Sequence, residues 1–276
     1  MAALLRGSSI QTWALGFVIM ALSNAAFAQL VLYDNFNSTL IDPTKWLGGQ
    51  TYDLDMREAQ RGLVPTPKVA GDRRLLLMQR GYSAITDNNG ASGGVFNLAF
   101  ANPNKITAVS FTLAVGSVGA VGCTTNSSIA GVSTGFGGSF FNPSSTPNGA
   151  AGDVKAVIFV DRLSSTGSTL SVGAGYFQCN DAGCSSITSL FAAGLGSVKI
   201  NSKNTFSLTW DHANHRFTFQ LNNNTPVTST YTVGDGFPPG YPYKDLETTR
   251  TVPHCVSTPR PYITINAYFD DVYVNP

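Results

Sequence analysis

Acids two positions apart on a strand project from the same side of it. Such a pair is what cleavage of a glycosidic bond by double displacement needs, one carboxyl acting as nucleophile and the other as proton donor. Asp53 and Asp55 have this spacing, in what reads as a loop entering the segment Arg57-Glu58-Ala59-Gln60. The chain has only two glutamates, Glu58 and Glu247, and neither is read as part of an acid pair. No serine nucleophile is read from it either. His212 and His215 stand three apart and could ligate a metal, but in a hairpin turn surface histidines are the plainer reading. Sugar recognition needs aromatic planes and orienting polar groups, and most of the 30 aromatic residues must be core. Trp46 and Trp210 are expected to pack. Phe237, Tyr241 and Tyr243 lie in Phe237-Pro238-Pro239-Gly240-Tyr241-Pro242-Tyr243, a loop too rich in proline to bury them all, and are the ligand-binding candidates.

The four cysteines read as disulfides, because residues 1–28 have the form of an export signal: Arg6, an apolar stretch from Trp13 to Leu22, then small residues up to Ala28. Cys179 and Cys184 sit close enough to close a turn between two strands, leaving Cys123 and Cys255 as the second pair. Four cysteines allow three pairings, so this assignment is an expectation. Removal of the signal takes away Arg6 alone among charged groups, leaving equal numbers of cations and anions. Nothing in that balance points to nucleic acid, and no membrane span is expected after the signal is removed.

The elements that would position these residues are strands. Short β-branched or aromatic runs alternate with Gly, Ser, Asn and Pro throughout, and no helical period appears. Ile106–Leu113 and Phe206–Trp210 read as strands, and Arg216–Leu221 returns from the latter as a hairpin with residues 211–215 as its loop. Residues 116–151 read as long loops around one or two short strands, and residues 234–261 as a long ordered surface loop. Residues 29–276 suit a single all-β domain, a two-sheet antiparallel jelly-roll sandwich, expected to be a monomer.

The opening Leu32-Tyr33-Asp34-Asn35-Phe36-Asn37, followed by Leu40-Ile41-Asp42-Pro43-Thr44-Lys45-Trp46, resembles that of concanavalin A-like lectin/glucanase domains, laminarinase-like glycoside hydrolases above all. Ala267-Tyr268-Phe269-Asp270-Asp271-Val272-Tyr273-Val274 resembles their closing strand, and looser matches lie between in the same order. The resemblance implies two stacked antiparallel sheets, one of them able to cradle a sugar chain. It also implies a catalytic strand carrying Glu-x-Asp-x-x-Glu, where this chain has Gly152-Asp153-Val154-Lys155-Ala156-Val157-Ile158. Only Asp153 is retained there, beside Asp53 and Asp55 as the remaining catalytic candidates. It further implies a structural Ca²⁺ on Asp270, with carbonyls near Asn35 and Gly48.

The leading expectation is therefore a secreted, noncatalytic carbohydrate-binding or surface-interaction domain, with a polysaccharide or cell-surface glycan as its partner. A glycoside hydrolase or polysaccharide lyase using unrecognised acids, and an extracellular structural or adhesive protein without a small ligand, are the alternatives.

Overall fold

The structure, a computed structural model, describes residues 29–49, 51–52, 59–67, 69–84, 90–123, Asn126, 130–163, 167–256 and 260–276. The export signal, Asp53, Asp55 and Glu58 lie outside the described residues. In chain order the strands are β1 (Val31–Asp34), β2 (Trp46–Leu47), β3 (Thr51–Tyr52), β4 (Ala59–Pro65), β5 (Arg73–Tyr82), β6 (Ala91–Phe100), β7 (Ala108–Val121) and β8 (Gly131–Phe141). There follow β9 (Val154–Leu163), β10 (Thr169–Cys179), β11 (Ile187–Lys199), β12 (Asn204–Asp211), β13 (Arg216–Leu221), β14 (Val227–Thr230), β15 (Lys244–Pro253) and β16 (Tyr262–Val274).

They form the expected all-β sandwich of two antiparallel sheets. Sheet A runs β14-β13-β12-β7-β16-β5-β4-β3, with β1 also paired to β16, and sheet B runs β11-β10-β9-β8-β15-β6-β2. Alternation drives the stacking. Phe111, Phe206, Phe217 and Phe269 point inward from sheet A, and Phe136, Ile158, Tyr176 and Leu246 from sheet B, all of them buried. The rings meet across the interface, with Phe111 and Phe136 centroids 6.4 Å apart and Tyr176 and Phe217 4.9 Å apart. Each such burial contributes about 2 to 3 kcal/mol.

The chain passes from sheet A to sheet B at the opening motif. Buried Trp46 donates its indole N–H to Asp34 Oδ2 at 2.7 Å, and Asp34 Oδ1 accepts the Phe36 amide at 2.8 Å. The acid of the opening strand and the tryptophan of the turn thus form one corner. Trp210 also packs, against Phe141 at 5.5 Å. Both disulfides form as expected: Cys179–Cys184 closes the β10–β11 turn, and Cys123–Cys255 joins the segment after β7 in sheet A to the one after β15 in sheet B.

Two expectations are corrected. Residues 116–151 contain more strand than expected, because β7 continues to Val121 and β8 has eleven residues. Glycines do not interrupt β8: Val132, Thr134, Phe136 and Phe140 take its inward positions, while Gly135 and Gly137 lie on the outer side between longer neighbours. Residues 234–261 are not loop throughout. From Lys244 to Pro253 they form β15, an internal strand of sheet B hydrogen-bonded to β8 on one side and β6 on the other.

Candidate functional site

On β15, Leu246, Thr248 and Val252 are fully buried on the core side, which puts Asp245, Glu247, Thr249 and Thr251 on the outer face of sheet B. Register fixes what stands beside them. Asp245 lies level with Gly137 of β8 and Val157 of β9, Glu247 with Gly135 and Phe159, and Thr249 with Ser133 and Asp161. Asp245 and Glu247 are thus a same-face acid pair on an internal strand, with Cα atoms about 6.8 Å apart from the antiparallel rise. From that spacing two carboxyl groups reach the roughly 5 to 5.5 Å separation that double displacement uses.

Small neighbours seat the pair. A Cβ placed on Gly137 would stand 3.2 Å from Glu247 Oε1 and 3.4 Å from Val157, so the glutamate lies across a position kept free of any side chain. Asn97 of β6, level with Glu247, donates its amide N–H to Asp245 Oδ2, while Asp245 Oδ1 has no hydrogen-bond partner. Asp245 is only 1% exposed. Burial raises the carboxyl of Asp245 well above the usual range, and the charge of Glu247 adds to the rise; the Asn97 hydrogen bond and Lys155 oppose it. Burial also pushes Glu247 up to about 7, against the pull of Lys155. Both acids therefore favour their protonated forms where an ordinary carboxyl would be ionised.

Lys155 and Tyr243 complete the cluster. The Lys155 ammonium lies 4.6 Å from the centre of the Tyr243 ring. Burial lowers the affinity of Lys155 for its proton, and Asp153, Asp245 and Glu247 counteract this. Burial raises the Tyr243 phenol, with Asp245 and Glu247 adding to the effect. A neutral phenol, a lysine and two proton-retaining acids thus converge at one end of the outer face.

A trough leads away from them. Phe159 and Asp161 of β9, Gly173 of β10 and Phe191 of β11 line a depression of ≈ 570 Å³. A second one of ≈ 220 Å³ shares Phe159 and Asp161 and reaches Ser133, Thr249 and Thr251. Asp161 separates the two; burial raises its carboxyl, and its Oδ1 has no hydrogen-bond partner. Gly131-Val132-Ser133-Thr134-Gly135 fits the pattern of a serine-nucleophile elbow, which the sequence reading passed over. It lies inside the regular strand β8, however, where Ser133 Oγ shares a 2.6 Å hydrogen bond with Thr249 Oγ1.

The residues singled out in the sequence have different fates. Asp153 is fully buried. It accepts hydrogen bonds from the amides of Gly240 at 2.6 Å and Tyr241 at 2.9 Å and from Asn142 Nδ2 at 2.7 Å. It is the anchor of the proline-rich loop. That anchorage holds Tyr241, 61% exposed, with its ring 5.8 Å from that of Tyr243 at the rim of the acid cluster. Phe237, 42% exposed, sits farther along the same loop, where its backbone pairs with Asn142. His212 and His215 both face Asp235, at 3.4 and 2.9 Å.

Of the residues nominated for calcium, Asp270 and Gly48 both lie beside cationic side chains. The Lys203 ammonium already sits 3.2 Å from Asp270 and 3.1 Å from Asp271. Gly48 lies against the guanidinium of Arg61, and Asn35 Oδ1 accepts the Asn37 amide at 3.3 Å. Among the described residues no group of three or more His, Cys, Asp or Glu side chains could hold a metal ion.

Asp245 and Glu247 are hidden in the sequence because prolines and aromatics up to Tyr243 make the whole segment look like loop. The signal was present in Leu246, Thr248 and Val252, which alternate with the two acids.

No protein-family profile matches the chain, and no curated protein sequence matches it. Several solved structures share its general shape. LamAcat from Zobellia galactanivorans aligns over 91% of this chain and 99% of its own, with a TM-score of 0.46 and 10% identity. A glycoside hydrolase family 16 endo-glucanase from Bacteroides ovatus aligns over 87% and 97%, with a TM-score of 0.46 and 14% identity. A laminarinase from Flavobacterium sp. aligns over 90% and 100%, with a TM-score of 0.44 and 10% identity.

Proposed function

We propose that this chain is a secreted glycoside hydrolase that cleaves an extended polysaccharide laid along the outer face of sheet B. Glu247 is the proton donor and Asp245 its partner carboxylate. The observation that carries the proposal is the pair itself: two acids on one face of an internal strand, level with residues that border an open trough and close to the charge of Lys155. A general acid must hold its proton at the working pH and give it up in the transition state, which the position of Glu247 near 7 allows. Lys155 balances the negative charge left when either acid ionises, and Tyr241 at the rim offers a plane for a sugar ring. The two disulfides and the signal-like first 28 residues support export.

The burial of Asp245 favours a second reading, in which the face binds a glycan without cleaving it. One experiment separates the two. The purified chain is incubated with β-glucans, galactans and polyuronates, followed by assays for reducing ends and for unsaturated products. Release of reducing ends by the wild type, lowered about a hundredfold or more in Glu247→Gln, supports hydrolysis. Binding to a polysaccharide without either product restores the noncatalytic reading, and unsaturated ends would make the chain a lyase.

A further inference from the structure

The trough on sheet B holds one charged group that the acid pair leaves unused. Among the described residues lining its two depressions, Asp161 of β9 is the only one that carries a charge. It is level with Ser133 of β8 and Ser171 of β10, and two residues along β9 from Phe159, which is level with Glu247. Its Cα is therefore about 12 Å from that of Glu247, too far for the two acids to act on one bond. Phe159 forms the floor beside it: a Cβ on Gly173 would stand 2.7 Å from the tip of the ring, so the ring lies across a glycine of β10. Among the described residues no cation pairs with the Asp161 carboxyl. Lys155 and Lys199, the cations of the same face on β9 and β11, lie outside both depressions, and neither bears on its charge. Burial raises the carboxyl, its own backbone amide alone opposes the rise, and Oδ1 has no hydrogen-bond partner.

A carboxyl group in a mostly apolar trough, without a cation or a full set of donors from the protein, costs free energy until a ligand supplies them. A sugar hydroxyl supplies a donor only, an ammonium group supplies donors and the opposite charge, and an anionic polymer is repelled. The inference rests on the reading of this face as a saccharide cleft. Within it, we infer that the polymer taken up is a polysaccharide with free amino groups, of the glucosamine type, and that Asp161 pairs with the ammonium of a sugar unit lying over Phe159 and Gly173. Asp161 is then a specificity-determining residue, which selects the polymer and leaves bond breaking to Asp245 and Glu247.

The test is isothermal titration of the full chain carrying Glu247→Gln, which keeps the ligand uncleaved, with β-linked oligomers of equal length made of glucosamine, N-acetylglucosamine or glucose. At low salt the glucosamine oligomer should bind about tenfold more tightly than the other two, or better. Adding Asp161→Asn should remove that preference and leave the weaker affinities within about twofold. Raised salt should weaken the glucosamine oligomer alone, a measure that needs no change at position 161. Absence of glucosamine binding, equal binding of all three, or an unchanged preference in Asp161→Asn would each overturn the inference. Failure of the hydrolase reading looks different: selective binding of the amine without release of reducing ends by the wild type sinks that reading and keeps this one. Cleavage of a neutral glucan with no preference for the amine does the reverse.

Discussion

Lys244 stands next to the acid pair in sequence but points the other way, into the core. It is 2% exposed, donates to Ser139 O at 2.7 Å and Pro103 O at 2.9 Å, and lies 4.3 Å from the centre of the Phe140 ring. Burial draws its ammonium from 10.5 down to about 7. Between those values the unfolded chain carries a proton that the folded chain has released, so stability rises with pH across the window. The slope is about 1.4 kcal/mol per pH unit, hence about 3 kcal/mol between pH 7 and 9.5. Stopping at 9.5 avoids the tyrosines, since Tyr33 is raised to about 12 and Tyr231 and Tyr243 are also pushed up. Those groups reduce stability only above pH 10. Lys244→Met removes the titration and leaves two carbonyls without a donor, at about 1 to 3 kcal/mol each. Urea unfolding of both proteins from pH 6 to 9.5 reads the difference. With a slope on the order of 3 kcal/mol per molar urea, the wild-type midpoint should climb by about 1 M relative to that of the variant. Parallel curves would show that Lys244 keeps its proton throughout, held by the two carbonyls and the ring, and would refute the reasoning.

Other expectations follow from the same geometry. Glu247 has the opposite sign: raised from 4.5 to about 7, it contributes stability that is complete below pH 4.5 and lost as pH rises through 7. Glu247→Gln should therefore be more stable than wild type at pH 8 by up to about 3 kcal/mol, measured by the same unfolding assay. Asp153→Ala leaves two loop amides and Asn142 without their acceptor, and should cost about 3 kcal/mol or more and raise proteolysis at Tyr241. Opening Cys123–Cys255, whose partners are 132 residues apart, should cost about 5 kcal/mol; opening Cys179–Cys184, 5 apart, should cost about 2. Thermal melts of the two double Cys→Ser variants compare them. Calcium at millimolar concentration should move the melting temperature by less than about 1 °C, because Lys203 occupies the position of a cation at Asp270. A larger rise would mean that Lys203 swings away and that Asp270 binds the metal.

The parts of the fold legible in the sequence were those where alternation is uninterrupted. The Phe206–Leu221 hairpin and the disulfide in the short turn could be read because a few adjacent residues determine them. The Asp34–Trp46 corner was visible as a pattern, although the hydrogen bond that explains it spans 12 residues. β8 was missed because glycine signals turns in isolation, whereas here Gly137 leaves room for the Glu247 side chain and Gly135 lets the backbone of β9 approach closely. β15 was missed because it follows Pro238, Pro239 and Pro242, and the acid pair was missed with it. Asp153 looked like a catalytic remnant because an acid's type does not reveal which way it faces; only the three donors converging on it do. Lys155, read as the loss of an acid, instead stands beside acids supplied by a strand two places away in the sheet.

β1 lies against β16, with Val31 level with Val274. The two ends of the folded body therefore lie side by side. A short linker between them should give a circular permutant that folds when opened at the Asn222–Asn224 turn. A cargo domain fused at either end would hang from the same part of the body.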